Sequence, residues 1–103
     1  MKRLFVLAAV ALALTAQAQN LPGSKPITIV VPFAAGGPTD KVARDLAEAL
    51  RKPLGATLII ENVGGVGGTL GANKVAKAAP DGYTLLLHHI GIATAPALYR
   101  SLP

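Results

Sequence analysis

The chain has 103 residues, no cysteine, ten basic and five acidic residues, and a net charge of +5 at pH 7. The lack of cysteine excludes disulfides, thiol catalysis and thiolate metal sites. The basic residues are dispersed and only four residues are aromatic, so neither a basic stripe nor a stacking platform for nucleic acid is present. We therefore expect no nucleic-acid partner.

The first 18 residues have the layout of an export signal. Two basic residues precede an apolar run over residues 4–14, and Ala16-Gln17-Ala18 has the small-x-small pattern of a signal-peptidase site. The apolar run is shorter than the about 20 residues that span a membrane. We predict a signal peptide over residues 1–18, cleaved after Ala18, and a mature part over residues 19–103. Because the signal holds two of the ten basic residues, eight face five acids in the mature part, a net charge of +3.

Three apolar runs, the first of them largely β-branched, organise the rest of the chain, and each is followed by a glycine-containing loop and a helical pattern. We predict strands over residues 27–31, 57–61 and 83–87, and helices from residue 39 or 40 to about 52, over 69–79 and over 96–99. Strands that alternate with helices at this spacing indicate βαβ units in a parallel sheet. The predicted fold class is α/β.

The first predicted helix has clear signals at both ends. Thr39 or Asp40 can cap its N-terminus, and Pro53 with Gly55 ends it. Arg44 and Glu48 are spaced to form an i,i+4 ion pair. Five apolar residues fall on one face, which we expect to be buried: Val42, Ala43, Leu46, Ala47 and Leu50.

Three loops follow the predicted strands, over residues 34–39, 62–68 and 88–95. In parallel sheets, ligands bind beyond the carboxyl ends of the strands. Backbone N–H groups and the helix dipole at a helix N-terminus attract anions. The sequence therefore predicts an anion-binding edge, although ordinary strand-to-helix turns would look similar when each loop is taken alone.

Other chemistries find weaker support. A dinucleotide fingerprint starting at Gly65 would need glycine at position 70, where Leu70 stands, and no Gly-Lys-Ser/Thr phosphate loop occurs. His88 and His89 are adjacent, and adjacent residues of an extended segment point to opposite faces, so one histidine lining a ligand pocket is favoured over a shared metal. Neither a nucleophile motif nor a carboxylate pair is present. We expect no enzyme activity, no cofactor and no metal.

Three phrases carry a family resemblance: KPITIVVPFAAGGPTDKVAR, ENVGGVGGTLGANKVAKAAPDGYTLLL and PALYRSLP. Together they closely resemble the Bug family of periplasmic solute-binding proteins, the substrate-binding components of tripartite tricarboxylate transporters. The resemblance implies a two-lobed flytrap fold in the periplasm, a small carboxylate ligand and membrane permease partners. Family members are much longer, so residues 19–103 would correspond to part of the N-terminal lobe.

The resemblance also implies which residues bind the ligand, since the first loop of the family offers backbone amides and a helix N-terminus to a carboxylate, often with bridging waters. The matching positions are Phe33, Ala35, Gly36, Gly37, Thr39 and Asp40 in the first loop, with Gly68, Thr69, His88 and Thr94 in the other two. The third loop has His88-His89-Ile90 where the family is commonly rich in threonine and serine, which leaves the ligand's identity open. Two alternatives remain: an orphan piece without binding activity, or a small nucleotide-dependent α/β enzyme, which the glycine spacing disfavours.

Overall fold

The computed structural model describes residues 23–103, and the predicted signal peptide lies outside them. In chain order the elements are β1 (Ile27–Val31), α1 (Pro38–Leu54), β2 (Leu58–Asn62), a 3-10 turn (Val66–Gly68), α2 (Thr69–Ala76), β3 (Thr84–Leu86) and α3 (Gly91–Leu98). None of the helices within the described residues is long and apolar enough to cross a membrane.

The three strands form one parallel sheet in the order β2-β1-β3. Ile29 of β1 lies opposite Ile60 of β2 and Leu85 of β3, which fixes the register. The central strand is the most β-branched of the three, and Val30 and Val31 are fully buried, as expected of a strand covered on both faces. The predicted parallel α/β fold is confirmed.

The helices lie on both faces of the sheet. Helix α1 packs Ala43 and Ala47 against alternate residues of β1 and the start of β2. Helix α2 contacts β1 and β3, and its side chains line the same cavity as Leu86. Because successive side chains of a strand alternate between faces, Leu86 lies on the face of the sheet opposite to Leu85 and α1. Each crossover returns the chain so that the helices begin at the carboxyl edge of the sheet.

The start of α1 differs from the prediction that Thr39 or Asp40 caps it. The N-cap is Gly37, and Pro38 occupies the first turn, where its missing N–H costs nothing. Asp40 lies inside the first turn, and its side chain bonds back to the loop. The helix continues through Pro53 to Leu54 and ends at Gly55, whose φ of 58° is left-handed.

The predicted buried face of α1 is confirmed for Ala43, Ala47 and the partly buried Leu50, and it is wrong for Val42 and Leu46. The buried stripe consists of Asp40, Ala43 and Ala47, whereas Val42 is 57% exposed and Leu46 is 41% exposed. Arg44 pairs with Asp40 one turn earlier and not with Glu48 as predicted, and Glu48 pairs with Arg51. Asp40 extends this buried stripe toward the helix N-terminus as a hydrogen-bonded carboxylate.

The later elements also differ from their predicted bounds. Helix α2 ends at Ala76 where residue 79 was predicted, and Leu70 in its first turn is exposed. Strand β3 is reduced to Thr84–Leu86. Helix α3 begins at Gly91, so that much of the predicted third loop is helical and Pro96 lies within the helix.

Candidate functional site

The loops after the three strands meet at the carboxyl edge of the sheet. The Phe33 ring stacks on the His89 ring with centroids 4.4 Å apart, and it meets the His88 ring edge-on at 5.2 Å. Gly68 lies against the same group, since a Cβ at Gly68 would come within 2.6 Å of His88 Nε2 and 3.0 Å of the Phe33 ring. Phe33, Gly68 and His88, predicted from three separate loops, are therefore in one place.

A second set of contacts joins the first loop to the end of β2 through the Asp40 carboxylate. Its Oδ2 accepts hydrogen bonds from Gly36 N–H at 2.8 Å and from Arg44 Nε at 2.9 Å. Its Oδ1 accepts one from Asn62 Nδ2 at 2.9 Å. The same Asn62 amide nitrogen donates to the Phe33 carbonyl at 3.1 Å.

These donors determine the charge state of Asp40. Hydrogen bonds from the Arg44 guanidinium, then from Gly36 N–H and the Asn62 amide, hold the pKa of Asp40 well below its usual range, against the opposing effect of burial. Asp40 is therefore an ionised carboxylate, with its charge balanced by Arg44, at the base of the first loop.

Backbone donors remain at the N-terminus of α1. Gly36 N–H is engaged by Asp40, and Gly37 N–H makes only a long contact of 3.4 Å with the Ala34 carbonyl. The first helical hydrogen bond runs from Lys41 N–H to the Gly37 carbonyl. The N–H groups of Thr39 and Asp40 thus lack intrahelical acceptors, and they point beyond the positive end of the helix.

The three threonines proposed for the site differ in what their hydroxyls do. Thr69 is buried and donates to the Val66 carbonyl at 2.9 Å. Thr94 is exposed and donates to the Gly91 carbonyl within α3 at 3.2 Å. Within residues 23–103, the structure gives the Thr39 hydroxyl no protein partner, so it is the one that a ligand can engage without displacing another bond.

The two histidines lie close together, contrary to the prediction that they point to opposite faces. The strand has ended at Leu86, and both rings contact Phe33. His88 Nδ1 accepts from His89 N–H and His89 Nδ1 accepts from Gly91 N–H, each at 2.8 Å. His88 Nδ1 also lies 3.1 Å from the His89 carbonyl oxygen. His88 Nε2 is buried and has no hydrogen-bond partner among the described residues.

The described residues contain no group of three or more metal-binding side chains that could hold an ion. An open cavity of about 420 Å³ lies between α2 and α3, but its lining is largely apolar. Thr69 contributes the hydroxyl that is already bonded to Val66. The polar groups that suit an anion are instead those of the first loop.

A parallel sheet with loops meeting at its carboxyl edge is the arrangement of a periplasmic binding protein lobe, and solved structures agree. The chain is 61% identical to the periplasmic binding protein BugD, with a TM-score of 0.71, over 73% of this chain and 25% of that one. It is 55% identical to MatC from Rhodopseudomonas palustris, solved with bound malate, with a TM-score of 0.60 over 64% of this chain and 22% of that one.

The sequence comparisons identify the family. The family model described as the tripartite tricarboxylate transporter family receptor matches residues 42–103. A protein from the TAR-I ttuE-ttuC' intergenic region of Agrobacterium vitis is 57% identical over 97 residues, covering 94% of this chain and 28% of that protein. The chain belongs to the tripartite tricarboxylate transporter receptor family, which confirms the Bug-family resemblance. It spans about a quarter of the length of the relatives described here.

Two residues of the network were not predicted from the sequence, namely Asn62 and Arg44 as partners of Asp40. Asn62 is a polar residue directly after a buried strand, at the edge where ligands bind. That position is the one signal by which the sequence could have revealed it. Arg44 was predicted to be a surface residue that pairs with Glu48.

Proposed function

We propose that this chain acts in an extracytoplasmic solute-binding protein that captures small carboxylates in the periplasm and delivers them to the membrane permease of a tripartite tricarboxylate transporter. The observation that carries the proposal is the N-terminus of α1, which directly follows the first loop and whose Thr39 and Asp40 N–H groups lack intrahelical acceptors. The malate bound to the relative MatC supports a carboxylate ligand. The predicted signal peptide supports export.

The geometry suits a carboxylate for physical reasons. Hydrogen bonds from N–H groups to a charged oxygen are shorter and stronger than neutral ones, and the helix dipole adds favourable charge at the same point. Gly37 lacks a side chain where the ligand would approach the backbone, and the Thr39 hydroxyl can donate a further bond. In this proposal Phe33, Ala35 and Gly36 shape the first loop. The remaining positions line the other side: Gly68, Thr69, His88 and Thr94.

An enzyme is a poorer explanation of this arrangement, because the periplasmic binding protein BugD is 61% identical to the chain. The glycine spacing also fails for a nucleotide. An orphan piece without binding activity is the remaining alternative, and the same experiment decides it.

The test is a titration of the ¹⁵N-labelled chain with malate, followed by NMR, for the wild type and two variants. Thr39→Val removes the hydroxyl donor. Gly37→Val places a side chain over the loop, and the protein tolerates its Cβ, whose nearest contact is the Ala34 carbonyl at 3.5 Å. Loss of one hydrogen bond to a charged group should weaken binding by roughly ten- to a hundredfold.

Thr57→Val is the matched control, because it makes the same change in an exposed residue at the opposite, amino end of β2. We expect it to bind malate like the wild type. Unchanged affinity in both test variants would remove the first loop from the site. A wild-type chain that shows no shifts with malate would favour the non-binding alternative.

A further inference from the structure

We infer that the Asp40 side chain has a positioning role in the site: the carboxylate holds the first loop in shape through Gly36 and Asn62 and does not itself contact the ligand. This inference rests on the proposed function, since it concerns how the same site is built. It concerns the carboxylate alone, because the family-based expectation assigns backbone amides of the first loop, and not this side chain, to the ligand.

The hydrogen bonds of Asp40 leave it little capacity for a ligand. Its two oxygens accept from three donors, Gly36 N–H, Arg44 Nε and Asn62 Nδ2, at 2.8 to 2.9 Å. Its side chain is only 3% exposed. Three of the roughly four acceptor sites of the carboxylate are used, and its burial leaves the remaining one with almost no surface for a solute.

The same bonds fix the first loop at two points. Gly36, which adopts a left-handed φ of 85°, is held at the end of the loop by its N–H bond to Asp40. Phe33, at the start of the loop, is held through Asn62, whose side-chain nitrogen donates to both Asp40 and the Phe33 carbonyl. Asp40 and Asn62 together therefore set the spacing between the two ends of the loop.

Arg44 neutralises the charge of the acidic residue that lies beside the anion site. An unpaired carboxylate at the base of the loop would repel a carboxylate ligand. Arg44 Nε lies 2.9 Å from Asp40 Oδ2 and balances that charge. The N–H groups at the N-terminus of α1 then act on the ligand without an opposing net charge.

The first test measures the loop without any ligand. Asp40→Asn keeps the shape of the side chain but replaces one acceptor oxygen with an NH₂ group that faces donors. We expect hydrogen exchange of the Gly36 amide in the full chain, followed by NMR, to become roughly ten- to a hundredfold faster. Asp45→Asn is the matched control, since Asp45 is on the same helix, carries the same charge, is 69% exposed and pairs only with Lys41. Unchanged Gly36 exchange in Asp40→Asn would overturn the inference.

The second test compares three probes, malate, succinate and aspartate, on the same variants. Positioning predicts that Asp40→Asn weakens all three by a similar factor. A loss confined to aspartate, whose ammonium group a carboxylate would pair with, would show direct contact and overturn the inference. Binding of none of the three by the wild type would count against the proposed function, and the Gly36 exchange would still decide the role of Asp40.

The variant Asn62→Leu tests the inference if Asp40→Asn fails to fold. It keeps Asp40 and Arg44 but removes the three side-chain bonds of Asn62, which join it to Asp40, the Phe33 carbonyl and Arg44 Nη2. Circular dichroism shows whether each variant is folded. If Asp40→Asn unfolds, Asn62→Leu should still lower the binding affinity for all three acids about equally, by roughly tenfold or more. Wild-type affinity in a folded Asn62→Leu variant would overturn the inference.

Discussion

Helix α2 contacts the first loop at Gly71, and this contact gives the sharpest prediction about stability. Gly71 is buried in the helix. A Cβ built there would lie 2.6 Å from Pro32 Cβ, 2.9 Å from Pro32 Cα and 2.9 Å from the Val63 carbonyl oxygen. Two of these three atoms belong to the backbone, so no side-chain rotation relieves the overlap. Gly71→Ala must therefore move the helix away from β1 or distort the loop.

The size of the effect follows from two opposing contributions to the free energy of unfolding. Alanine favours a helix interior over glycine by about 0.8–1.0 kcal/mol. Overpacking of a well-filled site costs about 1–3 kcal/mol, and contacts with backbone atoms belong in the upper part of that range. The overlap therefore wins, and we expect Gly71→Ala to be destabilising by about 1–2 kcal/mol.

Urea unfolding followed by circular dichroism measures this difference. With a slope of about 1 kcal/mol per molar urea, typical of a small domain, the midpoint should fall by about 1–2 M. Gly64→Ala is the matched control, because its φ is not left-handed and its Cβ would come no closer than 3.8 Å to Ala34 N. We expect Gly64→Ala to be neutral or stabilising by about 0.4–1 kcal/mol. A Gly71→Ala midpoint at or above that of the wild type would refute the argument.

Two further predictions concern α1. Val42→Lys should change the free energy of unfolding by no more than about 0.5 kcal/mol, because Val42 is 57% exposed. Ala43→Lys should unfold the chain, because Ala43 is fully buried. Equal urea midpoints for the two variants would contradict the observed helix face. Because bonding to Arg44 lowers the pKa of Asp40 in the folded state, its contribution is present above about pH 4 and is lost as the pH falls toward the folded pKa. Urea midpoints measured against pH should show this acid loss reduced in Asp40→Asn but not in Asp45→Asn, and an identical acid loss in both variants would contradict it.

The strands were the most predictable part of the molecule. The predicted bounds of β1 agree with Ile27–Val31, because a strand buried on both faces needs a run of β-branched residues that is visible locally. The second strand is shifted by only one residue, and its neighbouring turn was predicted from Gly55, which adopts the left-handed conformation expected of a helix end. These features depend on residues close together in sequence.

The predictions from the sequence were wrong where contacts between residues far apart in the chain determine the local structure. Asp40 is buried because Asn62, 22 residues later, completes its hydrogen bonds, and no helical periodicity contains that information. Helix α3 begins at Gly91 with the His89 ring accepting its N–H, a geometry that depends on stacking against Phe33. The sequence predicted only Pro96 as a helix start, since proline in a first turn is the common local pattern.

The site owes its shape to a close fit between the first loop and α2. Pro32 packs on Gly71, and the next residue, Phe33, packs on Gly68. Gly68 is the N-cap of α2 and Gly71 lies in its first turn. A Cβ at either glycine would overlap the residues that it packs on. Phe33 in turn contacts both histidines of the third loop and accepts a bond from Asn62 at the end of β2. The N-termini of α1 and α2 are thereby held at one edge of the sheet by packing rather than by the pattern of either helix. For this reason the sequence could indicate which edge holds the site, while the contacts among its loops had to come from the structure.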